Sequence, residues 1–220
     1  MGYQIAIDGP AGAGKSTIAK IVAKKKGFIY VDTGAMYRAM AVHMLRNKID
    51  GNDENSVSEA AGSADISFGY VDGEQHVYLN GEDVNNCLRN EETGNMASLT
   101  SKYPAVRKRL TELQKEFADK NDVVMDGRDI GTVVLPNANI KIYLTAGSDV
   151  RAKRRYDELR AKGQEADIKK IEEDIIERDR QDMTREVSPL KQAEDAILVD
   201  SSYMTIEEVA TRIMDMCPEA

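Results

Sequence analysis

The sequence predicts an α/β fold: a five-stranded parallel sheet flanked by helices, with a small antiparallel β lobe and a helical lid inserted into it. Three observations predict it. Five short β-rich runs, YQIAID, FIYVD, DVVMD, NIKIYL and AILVD, alternate with longer helical patterns, which implies parallel strands covered by crossover helices. About ninety residues separate the second run from the third, too many for one crossover helix, so an extra element must be inserted there. The first run leads through a burst of glycines into a lysine followed by two hydroxyl residues.

That burst, GPAGAGKS at Gly9 to Ser16, fits the spacing G-x-x-x-x-G-K-[ST] between a strand-like run, Tyr3 to Asp8, and a helical one. Gly9, Gly12 and Gly14 admit backbone conformations closed to residues with a Cβ, so that with Pro10, Ala11 and Ala13 the loop can turn consecutive N–H groups onto an anion. Lys15 adds a mobile positive charge, Ser16 can ligate magnesium, and a helix expected from Thr17 adds its positive end. The loop is therefore expected to hold the β- and γ-phosphates of a nucleoside triphosphate. Four of the five β-runs end in an aspartate, Asp8, Asp32, Asp126 and Asp200. Ligands of open α/β sheets bind beyond these strand ends, although each acid could equally serve a turn or a helix cap. Asp200 is read as the latter, because a capping box, Thr205 with Glu208, opens a terminal helix just after it.

Within the long interval, DISFGYVDGEQHVYLNGEDV reads as short strands with turns at Asp72-Gly73 and Asn80-Gly81, and Asn90 to Ala118 as helix broken or restarted at Pro104. A charge-dense helical excursion follows the fourth run, on both sides of Gly163. One domain is expected over residues 1–220, with a core at about 1–50, 119–150 and 190–220, a region with the inserted β lobe at about 51–118 and a lid with its following helix at about 151–189. Arg151, Arg154 and Arg155 stand at i, i+3 and i+4, on one helix face. As lid residues they would close on a transferring phosphoryl group; as ordinary surface residues they would need acids nearby. Arg178, Asp182 and Arg185 share a second face, as an ion-paired stripe or a rail for a nucleotide.

Composition excludes several classes. A net charge of −8 argues against general nucleic-acid binding, and no run of eighteen apolar residues suggests a membrane span. A cytoplasmic monomer is expected. Cys87 and Cys217 are isolated, as are His43 and His76, so neither a disulfide framework nor a transition-metal site is indicated. NKID, Asn47 to Asp50, is similar to a guanine-reading motif of GTP switches, but it follows the second run too closely and no DxxG occurs, so a helix end with a turn is expected.

The motifs DGPAGAGKST, DTGAMYR, NMAS, YPAVR, DGRDIGTVVLPNA and RDRQDMTREVSPL, in this order, resemble the bacterial cytidylate kinases of the P-loop nucleoside monophosphate kinase class. The resemblance extends from Ile5 to about Ser201 and implies transfer of a phosphoryl group from ATP, with Mg2+, to CMP or dCMP. It implies that Lys15 and residues 9–17 hold ATP and that Arg38 and Arg128 clamp the acceptor phosphate, which suits the guanidinium fork. Asp129 would accept from the cytosine amine, with Ser98, Arg107 and Arg185 on the rest of the base, and Arg178 and Asp182 on the ribose hydroxyls. Thr33 stands where members often carry serine, and Ser16 where some carry glycine, which makes magnesium ligation less secure than phosphate binding. A kinase for another monophosphate would share the phosphate machinery and differ at the base-reading residues.

Overall fold

The computed structural model describes residues 2–71 and 74–217. The strands are β1 (Gln4–Asp8), β2 (Ile29–Asp32), β3 (Ile66–Val71), β4 (Glu74–Leu79), β5 (Glu82–Asp83), β6 (Val123–Gly127), β7 (Ile140–Thr145) and β8 (Ile197–Asp200). The helices are α1 (Lys15–Lys26), α2 (Thr33–Arg46), α3 (Glu54–Ser63), α4 (Glu91–Thr100), α5 (Pro104–Lys120), α6 (Ser148–Ala161), α7 (Ile168–Thr184) and α8 (Ile206–Met214). Two compact units result, one built mainly from Val31–Asn121, the other from Tyr3–Tyr30 and the chain from Asp122 onward.

The expected five-stranded parallel sheet is present, in the order β2-β6-β1-β7-β8. Central β1 is buried along its whole length, as a parallel strand covered on both faces must be. Its last residue, Asp8, lies opposite Gly127, the last residue of β6, and Tyr143 of β7, so β1 and β6 end side by side where the glycine loop begins while β7 runs on to Thr145. Beneath them Ile5, Ile7, Val124, Ile142, Leu144 and Val199 pack against Ile18, Ala19 and Val22 of α1 and Val209 and Ile213 of α8. Each large aliphatic side chain so buried contributes about 1.5–3 kcal/mol. The Thr205–Glu208 capping box opens α8, and Asp200 turns onto the backbone and hydroxyl of Ser202, both as expected.

In the other unit the inserted lobe is a three-stranded antiparallel sheet, β3-β4-β5. Asn80 and Gly81 both take positive φ, 52° and 81°, which is the geometry of the tight hairpin turn their pairing predicted. The Asp72-Gly73 turn lies outside the described residues. Met36, Met40 and Met44 of α2 fill the core with Val57, Ile66, Val77, Leu79, Val106 and Leu110. Pro104 starts α5 at the position where a missing N–H is harmless, which separates it from α4.

Two local features differ from expectation. Helix α1 begins at Lys15 rather than Thr17, because Gly14 takes a left-handed φ of 90° and closes the turn there. After β6 the chain forms one wide helical turn, Ile130–Val134, in which the Leu135 N–H reaches back to the Ile130 carbonyl. NKID is a helix end and turn: the Asn47 N–H donates to the His43 carbonyl and Lys48 has φ 54°. Among the described residues no helix is long and apolar enough to cross a membrane. Both cysteines are free, and no group of three His, Cys, Asp or Glu side chains able to hold a metal occurs among the described residues.

Candidate active site

In the larger unit the glycine loop springs from β1 and is fixed by close packing. Gly9 has φ 148°, and a Cβ placed on it would lie 1.9 Å from the Leu144 carbonyl oxygen, so no other residue fits there. Gly14 caps α1 without a side chain, which leaves the first-turn N–H groups to face an anion. Lys15 is buried, and its Nζ donates to the Pro10 carbonyl at 2.8 Å, curling the side chain over the loop. Burial, and next the nearby Arg128 guanidinium, push its pKa down to about 7, against the pull of Asp126, Asp8 and Asp182.

The strand-end acids, which sequence alone left open, separate by role. Asp126 accepts from Ser16 Oγ at 2.8 Å and from the Tyr30 hydroxyl at 2.9 Å, so a carboxylate and a hydroxyl meet at the foot of the loop. Asp8 accepts from the Ile130 and Gly131 N–H groups at 2.8 and 2.7 Å and pins the wide turn that follows Asp129. Burial raises its pKa to about 6, although those two N–H bonds pull the other way. Asp32 is the helix cap of α2, accepting from the Ala35 N–H. The role of Asp126 was missed: its place at a strand end was the signal, but only the adjacency of β6 to β1 brings it to Ser16.

Five further expected residues lie in the same unit, and four of them form one network. Arg128 Nε donates to Asp182 Oδ2 at 2.8 Å, and Arg185 Nη1 lies 3.4 Å from Asp182 Oδ1. Arg185 Nη2 approaches Asp129 at 3.8 Å, and its Nε donates to the Ser188 carbonyl at 2.7 Å. Arg178 is exposed on α7. Thus Asp182 on α7 and Arg185, the extended residue that caps its C-terminus, meet the Arg128–Asp129 turn after β6, so the three expected residues do not form one helical stripe: Arg185 lies beyond the helix.

The three arginines of α6 do not share one environment. Arg151 is buried, with Nε on the Ala146 carbonyl, Nη1 on the Ala11 carbonyl and Asp179 at 2.7 Å. Arg154 is hooked onto Ser201, donating to its carbonyl at 2.7 Å. Arg155 sits in an exposed ion pair with Glu158. Spacing at i, i+3 and i+4 gave a common face but not a common fate, because Arg151 meets the loop and α7, Arg154 meets Ser201 and Arg155 faces outward.

In the other unit Thr33 is buried in the first turn of α2. Arg38 folds back over that turn, its Nη1 3.3 Å from where a Cβ on Gly34 would be. Arg107 is buried, donates to the Ser101 carbonyl at 3.1 Å and lies over the Tyr37 ring at 5.5 Å. Ser98 is exposed on α4. The two solitary histidines have local partners: His43 meets Ser63 Oγ, and His76 meets Asp83.

A family model described as cytidylate kinase matches residues 5–219. The cytidylate kinase of Caldicellulosiruptor bescii is 50% identical over 212 residues, 96% of this chain and 94% of that one. That of Lactobacillus gasseri is 49% identical, covering 97% and 93%. Among solved structures, an uncharacterized protein from Eubacterium ventriosum has TM-score 0.56 at 12% identity, over 97% of this chain and 96% of that one. Shikimate kinase from Bacteroides thetaiotaomicron has TM-score 0.50 at 15% identity, over 97% of each chain. The structural likenesses concern the fold, whereas the sequence relatives concern nearly the whole chain at half identity. The chain belongs to the cytidylate kinase family.

Proposed function

We propose that this chain transfers the γ-phosphoryl group of ATP to CMP or dCMP, giving ADP with CDP or dCDP, through the residues described above. The observation that carries the assignment of the site is the pairing, in one unit, of a backbone-built anion loop with the Arg128–Asp182–Arg185–Asp129 network. Donor phosphates lie against the N–H groups of the loop and Lys15, while Arg128, with Arg38, aims the acceptor phosphate. Phosphoryl transfer needs little covalent chemistry from the protein, so positioning and charge stabilisation supply the rate.

Oxygen ligands suit Mg2+, and the Ser16 hydroxyl with the Asp126 carboxylate provides them at the loop. Bound there, the ion would neutralise charge on the donor's phosphate oxygens. Asp129 accepts from the exocyclic amine of cytosine, where uracil presents an oxygen, and Arg185, Ser98 and Arg107 address the rest of the base. Arg178 and Asp182 take the ribose hydroxyls, and Thr33 contributes its hydroxyl to the acceptor phosphate region. Of the three α6 arginines, Arg155 is the readiest to swing onto the phosphoryl group, because its exposed pair with Glu158 holds it by only about 0–1 kcal/mol. Residues 51–118 act as the monophosphate-binding region and 151–189 as lid and following helix. The protein acts as a cytoplasmic monomer in this reading, and its two free cysteines suit a reducing compartment.

The test is ADP release measured with ATP and a panel of monophosphates. Rapid release with CMP and dCMP, and slow release with UMP, AMP and GMP, is the expected result. Preference for another base would overturn the assignment of Asp129, and little ADP with any acceptor would overturn the transferase reading altogether.

A further inference from the structure

The buried arginine of α6 belongs to an ion pair that the proposed reaction does not use. Arg151 is 5% exposed, and its Nη1 both donates to the Ala11 carbonyl at 2.9 Å and lies 2.7 Å from Asp179 Oδ2. Its Nε donates to the Ala146 carbonyl at 2.9 Å. The loop rests on its stem: a Cβ on Gly12 would be 3.4 Å from Arg151 Cβ. Asp179 of α7 is 9% exposed, and its Oδ1 has no hydrogen-bond partner among the described residues.

Ala11 and Gly12 share one planar trans peptide, so its carbonyl and its N–H point in opposite directions. By holding the Ala11 carbonyl, Arg151 aims the Gly12 N–H away from itself. Lys15 holds the preceding peptide in the same manner through the Pro10 carbonyl. Gly12, at φ 76°, lacks the Cβ that would otherwise restrict a peptide flip. Such a flip would point a carbonyl where a phosphate expects an N–H. A guanidinium this deeply buried requires a counter-charge, and Asp179 supplies it.

The geometry points to Arg151 and Asp179 as positioning residues of the donor site: Asp179 anchors Arg151, and Arg151 sets the Ala11–Gly12 peptide so that its N–H faces the donor phosphates. This rests on reading the loop as the ATP site. Asp179 also follows Arg178 directly on α7, so the helix that carries the proposed ribose-binding residues is the one that anchors the loop.

Full-length Arg151→Lys, Asp179→Asn and the double variant test it, by calorimetric titration with ADP in the absence of acceptor and by steady-state kinetics. Loss of one charge-assisted hydrogen bond corresponds to an ADP Kd raised about tenfold in Arg151→Lys. Asp179→Asn raises it about threefold, and the double variant is no worse than Arg151→Lys, because the two act as one unit. KM for ATP follows, while KM for CMP moves by less than about twofold. Additive losses, or equal rises in both KM values, overturn the proposal. So does tighter ADP binding by Asp179→Asn, which would make Asp179 a repelling charge rather than an anchor. A fall in kcat with nucleotide affinity unchanged would place Arg151 on the transferring group and also overturns it. Either single variant, if folded and of parental ADP affinity, is decisive. The titration needs no acceptor, so a protein that bound ADP yet phosphorylated no CMP would refute the proposed function and leave this question answered separately.

Discussion

The glycine loop and the arginine network beside α7, which we propose hold the donor and the acceptor, are made from opposite materials. The loop relies on backbone N–H groups and one lysine, and it tolerates no side chain at Gly9. The network relies on side chains, and each guanidinium is supplied with a carboxylate: Arg128 with Asp182, and Arg185 with Asp182 and Asp129. Partial charges of backbone dipoles need no counter-ion, so the loop's N–H groups need no acid paired to each of them. Full guanidinium charges at partly buried positions need compensation, which also fixes their orientation. A substrate entering the network therefore competes with acids already present, whereas a phosphate entering the loop meets mainly donors. In the proposed reading, selectivity belongs to the arginine network and phosphate affinity to the loop.

The sharpest way to break this comparison is at Lys15, the one mobile charge of the loop. Lys15→Ala is expected to lower kcat about a thousandfold, since its charge acts on the developing phosphoryl negative charge. Thermal stability at pH 7 should be unchanged or higher, because burial disfavours the ammonium in the folded chain. A folded variant with parental turnover would refute the role. Next comes Arg128→Lys, which keeps the charge and loses the fork; kcat/KM for CMP should fall about a hundredfold while KM for ATP stays near parental. If both substrates suffer alike, the network is not a separate acceptor site.

Asp129→Asn sharpens the comparison on the side of selectivity. The preference for CMP over UMP should weaken by about 1–3 kcal/mol, read as the ratio of the two kcat/KM values. A subtler test concerns protons. Burial pushes the Lys15 pKa down to about 7, so its ammonium loses its proton far more readily than an ordinary lysine's, and donor phosphates would favour its charged form. ATP binding at pH 8 should take up a proton, approaching about one per site, measured by calorimetry in buffers of different ionisation enthalpy. Absence of uptake would mean that Lys15 is already charged. The smallest effect is on stability. Asp8 has its pKa raised from 3.8 to about 6, so its contribution is present below the unfolded value and lost as pH rises through the folded one. Asp8→Asn should flatten that decline between pH 4 and pH 6, by less than about 1.4 kcal/mol per pH unit. An unaltered pH profile would mean that Asp8 is ionised throughout.

Legibility in the sequence followed the same divide. The loop, the parallel strands, the Asn80-Gly81 hairpin and the α8 capping box are local devices, each specified by residues within a few positions of one another, and each stands where its pattern indicates. The four strand-end aspartates were visible, but their tasks were not. Asp8 pins a turn more than a hundred residues away, Asp126 holds Ser16 and Tyr30, and Asp32 and Asp200 serve their own neighbours. Arg151, Arg154 and Arg155 looked equivalent at helical spacing, and they end buried, hooked to Ser201 and exposed, respectively. Asp179, flanked by two arginines in a stretch of charges, gave no sign of being buried.

By itself, then, the chain determined where a glycine turn opens into a helix, because glycine positions and helix starts obey short-range sterics that hold wherever the segment lies. It also determined that a parallel sheet would present its strand-end acids along one edge. Only the tertiary structure decided which acid meets which donor, since that depends on β6 lying beside β1 and on α7 packing against α6. Burial then set the charges: the pKa of Lys15 fell and that of Asp8 rose through desolvation, a quantity that no local pattern of residues contains.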